Sequence, residues 1–216
     1  MQFSHQVRHV LPIVTVACGT LAMPTLAQFR QQGPKFVGTG AVGDAQQGIA
    51  ISLSGDGGTA IVGGNSDNSG TGAAWAYKRS RGVWSQQAKL VGIDITGPPS
   101  EEQGFSVSLS GDGNTAIIGA PGDNLNVGAA RIYARAAGIW SQQGAKLVGT
   151  GTIGIAKQGI SVSLSGDGNT AIVGGPFDDG ALGAAWVYAR SVGVWSQQAK
   201  LVGTGVGGYV KQGQSV

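Results

Sequence analysis

The chain has 216 residues, 14 Lys plus Arg against 11 Asp plus Glu, a formal net charge of +3, and 40 glycines with only 12% charged residues. That length suffices for one domain with its own core. The glycine follows no strict triplet period, which excludes collagen, and so small a cationic excess, spread singly, excludes the electrostatic footprint of a nucleic-acid binder.

At the N-terminus, Arg8 precedes an apolar run over residues 10–23, and the small residues of "PTLA" follow it. This order reads as a secretory leader over residues 1–27, cleaved after Ala27. The run is too short and interrupted for a transmembrane span. A lipoprotein leader acylated at Cys18 fits less well, because Thr15 stands where a branched apolar residue belongs. Cleavage removes His5, His9 and Cys18, the chain's two histidines and one cysteine, and leaves 13 basic against 11 acidic residues, a net +2. The mature chain is then expected to lack zinc sites of the usual ligands, thiolate nucleophiles, histidine acid–base chemistry and disulfides.

From residue 28 onward the chain is one repeat domain. The pair "QQ" begins at Gln31, Gln86, Gln142 and Gln197, in steps of 55, 56 and 55. These mark units 31–85, 86–141 and 142–196 and a partial unit, 197–216. The third unit shows the pattern best. Residues 160–165, "ISVSLS", alternate apolar and Ser as a strand does. "GDGN" at 166–169 is a turn, since Asp and Asn bond locally and Gly accepts positive φ. A second strand follows at 170–175, a loop at 176–183, a third strand at 184–190, and a fourth over 194–203. Helical periodicity is absent. Four short strands every 55 residues or so predict an all-β fold, a β-propeller-type repeat of four-stranded antiparallel blades, about three blades plus a partial one. A β-solenoid, with shorter rungs, fits less well.

Residues 104–124, "GFSVSLSGDGNTAIIGAPGDN", resemble the FG-GAP repeat of integrin α-chain N-terminal propellers and of many secreted bacterial proteins. Residues 158–176 and the recurring "QQ-AKLVGTG" are similar to the bacterial version, so the resemblance covers 31–216. It implies a seven-bladed, extracellular or periplasmic propeller used for binding and adhesion. Integrin-type repeats carry a calcium loop between the first two strands. Here "SGDGN" keeps one carboxylate per unit, Asp56, Asp112 and Asp167, too few oxygens for calcium. No metal, cofactor or catalytic site is therefore expected. Three and a third units do not close seven blades, and "KQGQSV" falls within an expected first strand. The chain is expected to be a fragment, or to self-associate through open blade edges.

A second Asp recurs eleven residues after the first, at Asp67, Asp123 and Asp178. A strand separates the two by roughly 17–20 Å, so they are expected to form turns separately. The loops 65–72, 120–128 and 176–183 and the inter-blade connections share one end of the blades, the expected binding end. The connection 93–104 differs from its counterparts and holds the chain's two glutamates, Glu101 and Glu102. Trp84, Trp140 and Trp195 are expected to pack between blades. Trp75, Arg131 and Trp186 share one register in "AAW", "AAR" and "AAW". A position taking either Trp or Arg is expected on the surface, where both favour binding. Trp75, Arg131, Trp186, Glu101 and Glu102 are thus the candidate ligand-binding residues. The sequence reads as an exported, non-enzymatic binding or adhesion protein whose partner is a protein. The alternative is a lectin-like module for carbohydrate or another small ligand.

Overall fold

The computed structural model describes residue 31 and residues 33–95, 100–205 and 207–216. The expected leader lies outside the described residues. Among the described residues, twelve strands form three four-stranded antiparallel sheets, each a simple meander. The first blade holds β1 (Ile51–Leu53), β2 (Thr59–Gly64), β3 (Ala73–Ser80) and β4 (Val83–Leu90). The second holds β5 (Val107–Leu109), β6 (Thr115–Ala120), β7 (Ala129–Ala136) and β8 (Ile139–Gln142). The third holds β9 (Ser161–Leu164), β10 (Thr170–Gly175), β11 (Ala184–Ser191) and β12 (Val194–Leu201). These are propeller-type blades. Their period is that of the sequence repeat but their phase differs, because Gln86 and Gln197 lie inside β4 and β12 and Gln142 ends β8.

The recurring "SGDG" builds the turn between the first two strands. The Ser54 hydroxyl and the Gly58 N–H both donate to Asp56, and Ser54 Oγ accepts the Thr59 N–H at 2.9 Å. Asp112 and Asp167 repeat the arrangement. The Ser54 hydroxyl, and after it the Gly58 N–H, hold the Asp56 carboxyl below its ordinary range. All three carboxylates are absorbed by turn formation, as the sequence predicts.

Strand alternation sends successive side chains to opposite joints. Ile61 packs toward the second blade with Leu109, Ile118 and Tyr133, whereas Val62 packs with Trp75 and Tyr77. In β6, Ile118 faces the first blade and Ile117 the third, where it meets Val162, Val173 and Trp186. The inner-strand serines do more than leave room. Leu109 N–H donates to Ser52 Oγ at 3.1 Å, and Leu164 N–H donates to Ser108 Oγ at 3.0 Å, each across a joint.

Backbones approach closely at paired glycines. A Cβ on Gly63 would overlap the Gly104 carbonyl oxygen, one on Gly119 that of Gly159, and one on Gly174 that of Gly213. The turns bond as well, Gly55 N–H to Gly111 O at 2.9 Å and Gly111 N–H to Gly166 O at 2.8 Å.

The expectation of open strand edges at the ends of the stack is corrected. Blades stack face on face, which buries Leu90 and Leu147 at 3% and 8% exposure. Every blade carries its edges on its inner and outer strands.

The joint predicts a specific cost. Gly119→Val should destabilise the protein by about 1–3 kcal/mol through overpacking, read from urea unfolding. Gly166→Ala, where an added Cβ meets nothing within 4 Å, should leave the midpoint nearly unchanged. Equal effects would show that the joint does not depend on close approach.

Candidate functional site

The Trp/Arg row is not on the surface. Trp75, Arg131 and Trp186 are each 0% exposed, which corrects the sequence expectation. The chain entering each blade lies over this position on the third strand. Trp75 donates its indole N–H to Thr39 O at 3.0 Å, and its ring covers Gly38 and Gly64, where a Cβ would clash. Trp186 repeats this with Thr150 O at 2.9 Å, over Gly149 and Gly175. The ammonium groups of Lys89 and Lys200 stand 5.5 and 5.4 Å from the two ring centroids.

In the second blade the same pocket is ionic. Arg131 Nε donates to Asp94 at 2.7 Å, and its Nη2 donates to Glu101 at 2.9 Å and to Asp123 at 2.8 Å. Lys146 pairs with the other Asp123 oxygen at 2.6 Å. The exchanges are coordinated. Glu101 stands where the other blades have Ala45 and Ala156, Asp94 where they have Gly40 and Gly151, and Ala120 where they have Gly64 and Gly175. Room left by the indole admits the two carboxylates and one methyl group. The inserted Gly144 interrupts the outer strand, and Asp94 accepts the freed Lys146 N–H at 2.7 Å. Burial by itself would raise the Asp94 carboxyl, but the Arg131 and Lys146 N–H donors hold it below its ordinary value of 3.8. Arg131 Nη1 is buried and has no hydrogen-bond partner among the described residues.

The structure therefore joins two of the five expected ligand residues, Arg131 and Glu101. It keeps Trp75 and Trp186 in separate blades. Glu102 sits beside the cluster at φ 57°, with its backbone N–H on Gly70 O at 2.9 Å. The second Asp of each unit does more than form a turn. Asp67, Asp123 and Asp178 are buried and pair with Lys89, Lys146 and Lys200, each at 2.6 Å. The pairing has a signal in the sequence, since each Lys follows its Asp by 22, 23 or 22 residues. Trp140 and Trp195 do bridge blades: their indole N–H groups donate to Gln87 at 3.4 Å and Gln143 at 3.0 Å.

The expected binding end carries two of the surface concavities. In the first blade, a hollow of about 510 Å³ is lined by Val42, Asp44, Gln46 and Ser66. The equivalent hollow of the third blade, about 530 Å³, is lined by Ile153, Ile155, Lys157, Phe177 and Tyr209. Residues at positive φ shape the rims, among them Gln46 and Lys157 at 51° and 53°. Between these hollows Ile93 and Leu125 are exposed. Residues 96–99 of the connection 93–104 lie outside the described residues. Among the described residues, no group of three His, Cys, Asp or Glu side chains is placed to hold a metal ion. No helix among them is long and apolar enough to cross a membrane.

Blades of this kind define a propeller-type repeat protein. Residues 84–133, from β4 into β7, match the FG-GAP repeat family. No curated protein matches the chain. Among solved structures the chain is similar to Saccharomyces cerevisiae Sqt1, at 12% identity and a TM-score of 0.48, over 74% of this chain and 36% of that one. It is similar to a putative 6-phosphogluconolactonase from Bacteroides uniformis, at 15% identity and 0.48, over 70% and 39%. Hydrazine synthase from Kuenenia stuttgartiensis gives 14% and 0.49, over 79% and 40%. The chain thus spans well under half the length of these structures.

The ionic pocket generates two expectations. Arg131→Met strands three carboxylates and should cost about 3–5 kcal/mol at pH 7. The Asp94 pKa is depressed in the folded protein, so its contribution is complete at neutral pH and is lost as pH falls below 4. Loss of the guanidinium removes its depression of the Asp94 carboxyl, so the variant's deficit should shrink over that range in urea titrations. A deficit independent of pH would refute this account. Combining Arg131→Trp with Glu101→Ala, Asp94→Gly and Ala120→Gly should restore the packing of the other blades, with stability equal to wild type or higher by about 1–4 kcal/mol. A combined variant no more stable than Arg131→Met would show that the exchanges are independent.

Proposed function

We propose that this protein is an exported, non-enzymatic binding module that presents the loop end of its blades to a protein partner. One observation carries the reading. The repeats keep their structural residues nearly letter for letter, yet at equivalent positions the hollows are lined by Ser66 and Gln46 in one blade and Phe177 and Lys157 in another. Repeat architecture leaves these positions free, and binding chemistry is built where a rigid scaffold leaves loops free to vary. Exposed Ile93, Leu125, Ile153 and Ile155 add apolar area of the kind protein interfaces cover. Export rests on the leader pattern of residues 1–27. Adhesion at a cell surface is the biological setting that this pattern and the FG-GAP repeat support.

Two features favour binding over catalysis. Burial pushes the Tyr133 and Tyr188 phenols up, away from acid–base work at neutral pH. The carboxylates that converge are bound to Arg131 inside a blade. The lectin-like alternative loses its stacking platform, because Trp75 and Trp186 are covered.

Selection of phage-displayed peptides on the immobilised protein tests the reading. Enriched peptides should lose binding to a loop-end variant, Ile93→Ser with Leu125→Ser and Phe177→Ser, and keep it on Val192→Ser at the opposite end. Peptides that map to the Val192 end, or no enrichment at all, would count against it.

A further inference from the structure

We infer that the hollow of the third blade is a docking slot for an apolar side chain flanked by carboxylates, in an acidic segment of a protein partner. This rests on the loop-end reading above and specifies the chemistry of one site within it.

The slot is assembled from three separate stretches of chain. Ile153 and Ile155 come from the connection entering the third blade, Phe177 from the loop after β10, and Tyr209 from the connection that leaves. Its volume, about 530 Å³, accommodates a leucine or phenylalanine side chain with adjoining backbone. Ile153, Ile155 and Tyr209 are exposed, and Phe177 is 37% exposed, so an incoming apolar group finds apolar surface still in water.

Charge decides what accompanies that group. The ammonium groups of Lys157 and Lys211 lie 5.9 and 5.3 Å from the Phe177 ring centroid. Neither forms an ion pair with a carboxylate among the described residues, whereas Lys89, Lys146 and Lys200 each pair with a buried Asp. Of the two acidic residues in the same loop, Asp178 is buried and pairs with Lys200, and Asp179 is exposed and does not line the slot. Two cations thus stand close to one aromatic ring with no acidic partner among the described residues. Anions are what such a pair recruits, and a segment that also fills the apolar slot uses both features.

The lysines are also positioned in advance. They occupy the same place in successive repeats, at φ 53° and 54°, and their N–H groups bond Asn126 O and Ala181 O, both at 3.0 Å. This fixes both side-chain bases on loops held by the inter-blade joint. In the first blade, Gln46 and Ser66 replace Lys157 and Phe177, so that hollow keeps the shape and has neither ring nor cation. The slot is thereby specific to the third blade.

The probe is a fluorescein-labelled five-residue peptide, a phenylalanine with two glutamates on either side, compared with its counterpart carrying glutamine in their place. Anisotropy at low salt should show the glutamate peptide binding about five- to tenfold more tightly, the effect of two partly exposed charge pairs. Lys157→Gln with Lys211→Gln should remove that difference, and 0.5 M salt should do the same. Phe177→Ser should weaken both peptides and, because Phe177 is 37% exposed, leave urea unfolding unchanged. Val192→Ser, exposed at the opposite end, should leave both affinities unchanged. Equal affinity for the two peptides, or no binding of either, overturns the assignment of the slot. Binding lost in Ile93→Ser with Leu125→Ser but retained in Phe177→Ser also overturns it, while leaving the broader loop-end reading standing. Failure of that broader reading shows instead in the phage selection.

Discussion

Backbone lies against backbone wherever two blades meet. Gly63 faces the carbonyl of Gly104, Gly119 that of Gly159, and Gly174 that of Gly213, at separations that admit no side chain. Much else follows from this approach. It brings the inner-strand serines within hydrogen-bonding distance of the next blade. It also sets Glu102 N–H on Gly70 O, and Lys157 N–H on Asn126 O, at 2.9 and 3.0 Å. Each loop of one blade is thereby clamped to the connection entering the next, so the loop end is a continuation of the joint and inherits its rigidity.

Beneath that clamp lies a pocket on the third strand that the protein fills in two ways. Trp75 and Trp186 bury a large aromatic surface over glycine and return their single polar hydrogen to a carbonyl, a favourable use of the space. Arg131 fills it with charge. A guanidinium shared among three carboxylates recovers much of its desolvation cost but gains little over an apolar filling. The Asp–Lys pair at the rim is common to both solutions, which is why one backbone accommodates either. The orphaned Nη1 of Arg131 marks the fit as less complete than that of the indole.

The pocket and the loop-end hollows divide the labour of the repeat. Identical residues hold the joints, the Asp turns and the Lys staples. Variation includes the filling of one internal pocket and the lining of the hollows. A surface made in this way offers different chemistry from each blade at a fixed spacing, which suits a partner that touches several blades at once.

The sequence by itself determined the class and most of the secondary structure. The second strand of the third unit is expected and found at 170–175, and the fourth is expected over 194–203 and found as Val194–Leu201. Asp56, Asp112 and Asp167 bond within two residues along the chain, and local chemistry of that kind is visible in local sequence. The candidate site was legible only in part. Period-2 alternation shows which way a side chain leaves its strand, but not whether another segment covers it. Trp75 is covered by chain 36 residues earlier, Arg131 meets Glu101 across 30 residues, and the slot around Phe177 needs Ile153 and Tyr209. Those contacts join segments far apart in the chain, so tertiary structure alone decided that the Trp/Arg row is core and that Lys157 and Lys211 share one ring.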